Sequence, residues 1–120
     1  MAENNDSKLQ LVTFQLGAES YGIDIMIVDG IVRVEETRSI PNAPNYVDGI
    51  FNLRGEIIPI INLHKRFQIR HAELSEEDML LSGFIIIKIS GMKLGIIIDK
   101  ISRVISADLN KMQLPPQMLS

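Results

Sequence analysis

Cysteine is absent from the 120 residues, which excludes disulfides, thiolate metal sites and cysteine nucleophiles and leaves two histidines and the carboxylates to do any chemistry. His64 and His71 stand seven residues apart across what reads as a loop, without the HExxH-like spacing that sets two imidazoles on one helix face. Surface or packing roles are expected for both, and no metal. Asp99 follows an apolar run and resembles a lone general base, yet no nucleophile, second carboxylate or base accompanies it in a recognisable arrangement. It reads as a turn residue. Gly22, Gly55 and Gly95 fall in neither GxGxxG nor GK[ST] spacing, so they read as sites of close backbone approach or positive φ rather than a phosphate cradle. Neither a catalytic residue nor a cofactor is expected.

Partner classes narrow in the same way. Twelve basic against 15 acidic side chains give a net charge of -3, and no basic run exceeds the Lys65-Arg66 pair, so a surface built to neutralise phosphates is missing. Aromatic residues are 5% of the chain with no tryptophan, a poor supply for stacking bases or sugars. Residues 1–8 are polar and acidic where a signal peptide needs a basic start and an apolar stretch. The longest apolar runs, 84–87 and 94–98, fall far short of the roughly 18 residues of a membrane helix. A soluble cytoplasmic protein without direct membrane insertion is expected. Of the six methionines only Met26 and Met118 would lie near a packing seam, which does not make a methionine-lined site. The acidic stretch 73–78 reads as solvated, with electrostatic choice of partner as its alternative role.

The elements that would position these residues are strands. Twenty isoleucines and six valines supply an excess of β-branched side chains, which suit a pleated sheet, and 46% hydrophobic residues over 120 positions allow one compact domain. Period-two patterning predicts strands over 9–17, 21–25, 27–34 (bent at Gly30), 47–53, 56–63, 83–89, 93–98 and 100–106. Pro41 and Pro44 force a loop over 41–45, and Arg54-Gly55 makes a tight hairpin connection. Pro59 marks an edge or a bulge, and 63–67 makes one helical turn. Residues 1–8 read as a disordered tail and 9–120 as a single domain.

Sliding the chain against itself by 73 residues aligns 11–34 with 84–107 without a gap, Gly22 on Gly95, Ile25 on Ile98 and Val28 on Ile101, and both copies run into prolines. Two similar β units are implied. A second copy of the 47–68 hairpin would fall beyond position 120, so the chain reads as about five-sixths of a domain, with an open edge that favours strand exchange or edge-paired self-association.

YGIDIMIVDGI (21–31), IPNAPNYVDGIFNLRGEIIPIINL (40–63) and LGIIIDKISRVI (94–105), with the two prolines that follow, resemble a CheW-type chemotaxis coupling protein from Leu9 to the carboxyl end. The resemblance implies an all-β fold of two SH3-like five-stranded barrels about a hydrophobic seam, the second incomplete here. It also implies a non-enzymatic adaptor between the cytoplasmic hairpin tip of a membrane chemoreceptor and the regulatory domain of the CheA histidine kinase, at membrane-bound receptor arrays. Carried over by position, the receptor groove would use Val28, Ile31, Gly49, Arg54, Gly95, Ile96 and Ile101. The kinase contact would lie near Pro41, Ala43 and Tyr46 and the 56–66 strand. Arg54 leads this set, because its planar fork of five donors suits backbone carbonyls or a carboxylate; a second reading has it cap its own hairpin. The family pattern has an acidic residue two positions after Val28, facing that arginine, where this chain has Gly30. Asp29, rotated by a glycine bulge, or Glu56 are the nearby replacements. The competing function is a CheW-like signal- or ligand-binding module of another histidine-kinase pathway or of a receiver-fused protein.

Overall fold

The structure, a computed structural model, describes residues 8–33 and 36–108. The expected tail over 1–7 and the carboxyl-terminal prolines and Met118 lie outside the described residues. Eight strands follow the apolar alternation closely: β1 (Lys8–Leu16), β2 (Glu19–Asp24), β3 (Val28–Arg33), β4 (Val47–Leu53), β5 (Glu56–Ile61), β6 (Gly83–Ile89), β7 (Met92–Ile98) and β8 (Lys100–Asp108). Lys8, expected in the tail, starts β1. Two short helices, α1 (Leu63–Phe67) and α2 (Glu76–Met79), lie between β5 and β6. Each begins at a side-chain cap that satisfies an otherwise orphaned amide: Asn62 accepts from Lys65 N, and Ser75 from Asp78 N. A single 3-10 turn, Ile25–Ile27, interrupts the strands expected over 21–34, held where Asp24 accepts from the amide of Met26 at 2.9 Å.

The strands form a three-stranded sheet in the order β2-β1-β8 and a five-stranded sheet in the order β3-β6-β7-β5-β4. The internal repeat is visible in their register. The β1-β2 hairpin corresponds to the β6-β7 hairpin and β3 to β8, and the pairings Phe14 with Ile101 and Val12 with Val104 recur 73 residues along as Ile87 with Val28 and Ile85 with Ile31. Within the hairpins Leu11 pairs Asp24 as Phe84 pairs Ile97. Each hairpin takes its third strand from the other copy: β1 pairs with β8, and β6 with β3. The two units are therefore interlocked through the chain.

This exchange explains the unbroken apolar runs of β6 and β7, which are covered on both faces. Ile85, Ile87, Ile96 and Ile98 join Phe14 and Leu16 in a cluster between the sheets, with Ile23, Val28 and Ile101 packed against it. Phe84 and Ile86 point the other way, into the five-stranded unit, where they meet Phe51, Ile58 and Ile60. Phe51 and Phe84 meet edge to face at 5.7 Å. Burying each such side chain contributes about 1.5–3 kcal/mol. Pro59 sits opposite Ile50 just before β5 begins its parallel pairing with β7 at Ile60, so its missing amide breaks no ladder with β7.

Candidate functional site

Two polar arrangements stand out against this apolar frame, an open groove on the five-stranded unit and a buried carboxylate hub between the units. The groove, about 180 Å³, lies between β3, the start of β7 and the β4-β5 turn, with Gly30, Ile31, Leu53 and Arg54 among its lining residues. Arg54 and Gly55 both have positive φ, 53° and 87°, the pairing of a two-residue hairpin turn that follows the sheet's twist. The turn is capped by Asn52, whose Oδ1 accepts from the Gly55 amide at 2.9 Å. Arg54 is thus not the cap of its own hairpin. Its guanidinium is exposed and makes no hydrogen bond or ion pair among the described residues.

The replacements expected to pair with Arg54 go elsewhere. A bulge does lie between Val28 and Gly30, but the Asp29 carboxylate meets Lys93 Nζ at 3.0 Å, and Glu56 meets the same ammonium at 2.9 Å. Hydrogen bonds to Glu56 and then Asp29 hold the Lys93 pKa above its ordinary value. Lys93 was not identified from sequence, where a lysine in a strand carries no distinguishing signal. Gly30 has a φ outside the glycine-favouring region, and a Cβ there would meet nothing within 4 Å, so the fold does not demand glycine. Its missing side chain keeps the groove beside Arg54 open.

The seven residues carried over to the receptor groove do not form one surface. Ile31, 51% exposed, and Arg54 share the groove. Val28 and Ile101 are half-buried against the inter-sheet cluster. Gly49, Gly95 and Ile96 are buried, and this corrects the expectation that they offer contacts. A side chain at Gly95 would collide with Ile60, and Ile96 is core because β7 is covered on both faces. On the kinase-facing candidates, Pro41 is exposed and Ala43 and Tyr46 are partly covered. The Tyr46 carbonyl accepts from Asn62 N at 2.7 Å, and the Arg66 guanidinium lies 5.6 Å over the Tyr46 ring, so this loop and α1 form one continuous face.

The hub is the larger departure from the sequence reading. Asp99 lies, as read, at the bend between β7 and β8, but it is buried. Its Oδ2 accepts from Gly17 N at 2.6 Å, Ala72 N at 3.1 Å and His64 Nε2 at 3.0 Å, while Oδ1 is 3.1 Å from His71 Nδ1. His64 and His71, seven residues apart in the chain, stack with ring centroids 3.6 Å apart. Burial alone would push the Asp99 carboxyl up, but hydrogen bonds from His64, Gly17, Ala72 and His71 together bring its pKa below the ordinary carboxylate value. The ionised carboxylate therefore ties the β1-β2 turn, α1, the segment after it and the β7-β8 junction together. No nucleophile or second carboxylate joins this arrangement among the described residues, and its evident role is to hold strands.

A family model described as CheW-like domain matches residues 10–120. The chain is a member of the CheW-like domain family. It is 60% identical to the chemotaxis protein CheW of Treponema pallidum over 97% of this chain and 68% of that protein. It is 31% identical to the chemotaxis protein CheW of Helicobacter pylori over 98% of this chain and 69% of that protein. The crystal structure of the scaffolding protein TtCheW from Thermoanaerobacter tengcongensis superposes with a TM-score of 0.78 at 41% identity, covering 90% of this chain and 71% of that one. The chain thus spans about two-thirds of the length of these CheW relatives. The all-β, two-unit architecture is the CheW scaffold fold, and this CheW-family chain is a non-enzymatic chemotaxis coupling protein. No helix among the described residues is long and apolar enough to cross a membrane.

Proposed function

We propose that this chain couples the cytoplasmic hairpin tip of a methyl-accepting chemoreceptor to the regulatory domain of the histidine kinase CheA, at membrane-bound receptor arrays. The observation that carries this reading is the groove at Gly30, Ile31 and Arg54, where an exposed aliphatic side chain adjoins a guanidinium without a partner among the described residues. Such a pair suits an amphipathic helix that brings apolar residues to Ile31 and a carboxylate or helix-terminal carbonyls to the arginine fork. The kinase regulatory domain would take the face of Pro41, Ala43, Tyr46 and α1, where Arg66 and Phe67 add an arginine and an aromatic, residue types enriched at protein interfaces. The ligand-binding alternative has less support, because Phe51, Ile58, Ile60, Phe84 and Ile86 fill the interior of the five-stranded unit.

Arg54→Glu is the direct test. It keeps a long side chain at a position with no partner among the described residues, so the thermal midpoint should stay within about 2 °C of the parent, as for a surface change of under about 0.5 kcal/mol. Calorimetric titration with a chemoreceptor cytoplasmic hairpin should then show binding weakened at least about tenfold, the loss of a charge-assisted contact worth about 1.5–3 kcal/mol. Unchanged affinity would remove Arg54 from the receptor contact. Edge pairing of two copies, expected from the sequence, would use β2, the counterpart of β7, which has no equivalent of β5 beside it among the described residues and where Tyr21 is 41% exposed.

A further inference from the structure

We propose that His64, His71 and Asp99 form a binding site for a first-row divalent transition-metal ion of the zinc class. The two imidazole nitrogens and the carboxylate come from three separate parts of the chain, and their candidate donor atoms all lie within 4.8 Å of one another. Around a tetrahedral zinc ion with bonds of about 2.0–2.1 Å, neighbouring donors sit about 3.3 Å apart. The distances of 3.0 Å from His64 Nε2 to Asp99 Oδ2 and 3.1 Å from His71 Nδ1 to Oδ1 already approach that spacing. Two imidazoles with one carboxylate select zinc, copper or nickel over calcium and magnesium, which take oxygen ligands.

The carboxylate is prepared for such an ion. Gly17 N and Ala72 N donate to Oδ2 and fix its orientation, while Oδ1 meets only the exposed His71. The ion would take the place of the protons now shared between the imidazoles and the carboxylate, with solvent supplying the remaining position. One movement is required. The rings are stacked within 19° of parallel, so a single ion cannot lie in both ring planes, and one ring must turn. His71 is the ring able to do so, since its side chain is 62% exposed on the segment between α1 and α2, whereas His64 is buried.

The same geometry limits the affinity. Coordination through Nε2 leaves the His64 ring proton on Nδ1, a buried nitrogen with no hydrogen-bond partner among the described residues, whereas metal-bound imidazoles ordinarily donate that proton to an acceptor. The site is therefore a reversible zinc clamp on the loop that carries His71, and not a structural site on which folding depends.

Calorimetric titration of the tag-free chain with zinc chloride at neutral pH should show one ion per chain. His71→Ala removes an exposed ligand without opening the core and should weaken binding at least about tenfold. Absence of saturable binding, or equal affinity in the two proteins, would overturn the proposal. Should His71→Ala fold poorly, cobalt added to the parent decides by NMR. Selective broadening of the Gly17, His64, Ala72 and Asp99 resonances supports the site, and broadening centred elsewhere refutes it.

Discussion

Asp99→Ala is expected to leave most of the chain unfolded at 25 °C in metal-free buffer. The substitution removes the only acceptor among the described residues for three covered donors, Gly17 N, Ala72 N and His64 Nε2, and one more from exposed His71. An unsatisfied buried donor costs about 1–3 kcal/mol, and three such losses approach the about 5–15 kcal/mol that holds a domain together. Asp99→Asn keeps the shape and one acceptor oxygen but turns an amide group toward these donors, so its stability should fall between the two. Urea unfolding followed by circular dichroism reads the order. An Asp99→Ala midpoint equal to the parent would show that the hub holds nothing.

Gly49→Ala should destabilise by about 2–6 kcal/mol, a loss large enough to be read as a failed receptor contact if binding alone were measured. Gly49 has φ near 151°, which L side chains rarely adopt, and a methyl group there would be driven into the Arg38 carbonyl. That carbonyl accepts from Ile50 N at 2.8 Å while Arg38 N donates back to Ile50 O at 2.9 Å, so the obstruction is fixed backbone and not a flexible side chain. Strain of about 1–3 kcal/mol adds to an overpacking cost of similar size. The two variants then separate the causes: Arg54→Glu should lose receptor affinity with its melting curve intact, whereas Gly49→Ala should lose both. A Gly49→Ala chain that melts like the parent yet fails to bind would return Gly49 to the interaction surface.

The strands were legible because alternation and β-branching act locally, and the repeat was legible because two segments share a pattern at one offset. Which strand each hairpin pairs with was not, since pairing β1 to β8 or β6 to β3 depends on chain crossings that a gapless alignment cannot register. The interior placement of Gly95 and Ile96 had a signal that was available: 94–98 is a continuous apolar run, the mark of a strand covered on both faces, and such a strand exposes neither face to a partner. The hub had almost none. Gly17, His64, His71 and Asp99 are dispersed over more than 80 residues, and only the fold brings them together. A charge ending the most apolar strand was the single hint. Arg54 was found through the family resemblance of the 40–63 segment, but its freedom follows from Asn52 capping the turn and from Lys93 drawing both nearby carboxylates, contacts set by tertiary packing.

The most direct test of the coupling claim is a co-sedimentation experiment with vesicles bearing a chemoreceptor cytoplasmic fragment, the CheA regulatory domain in solution, and this chain. The regulatory domain should pellet with the vesicles only when the chain is present, and Arg54→Glu should release chain and kinase domain together while leaving their mutual binding intact. Equal pelleting of the kinase domain with and without the chain, or a chain that binds neither partner, would contradict the account.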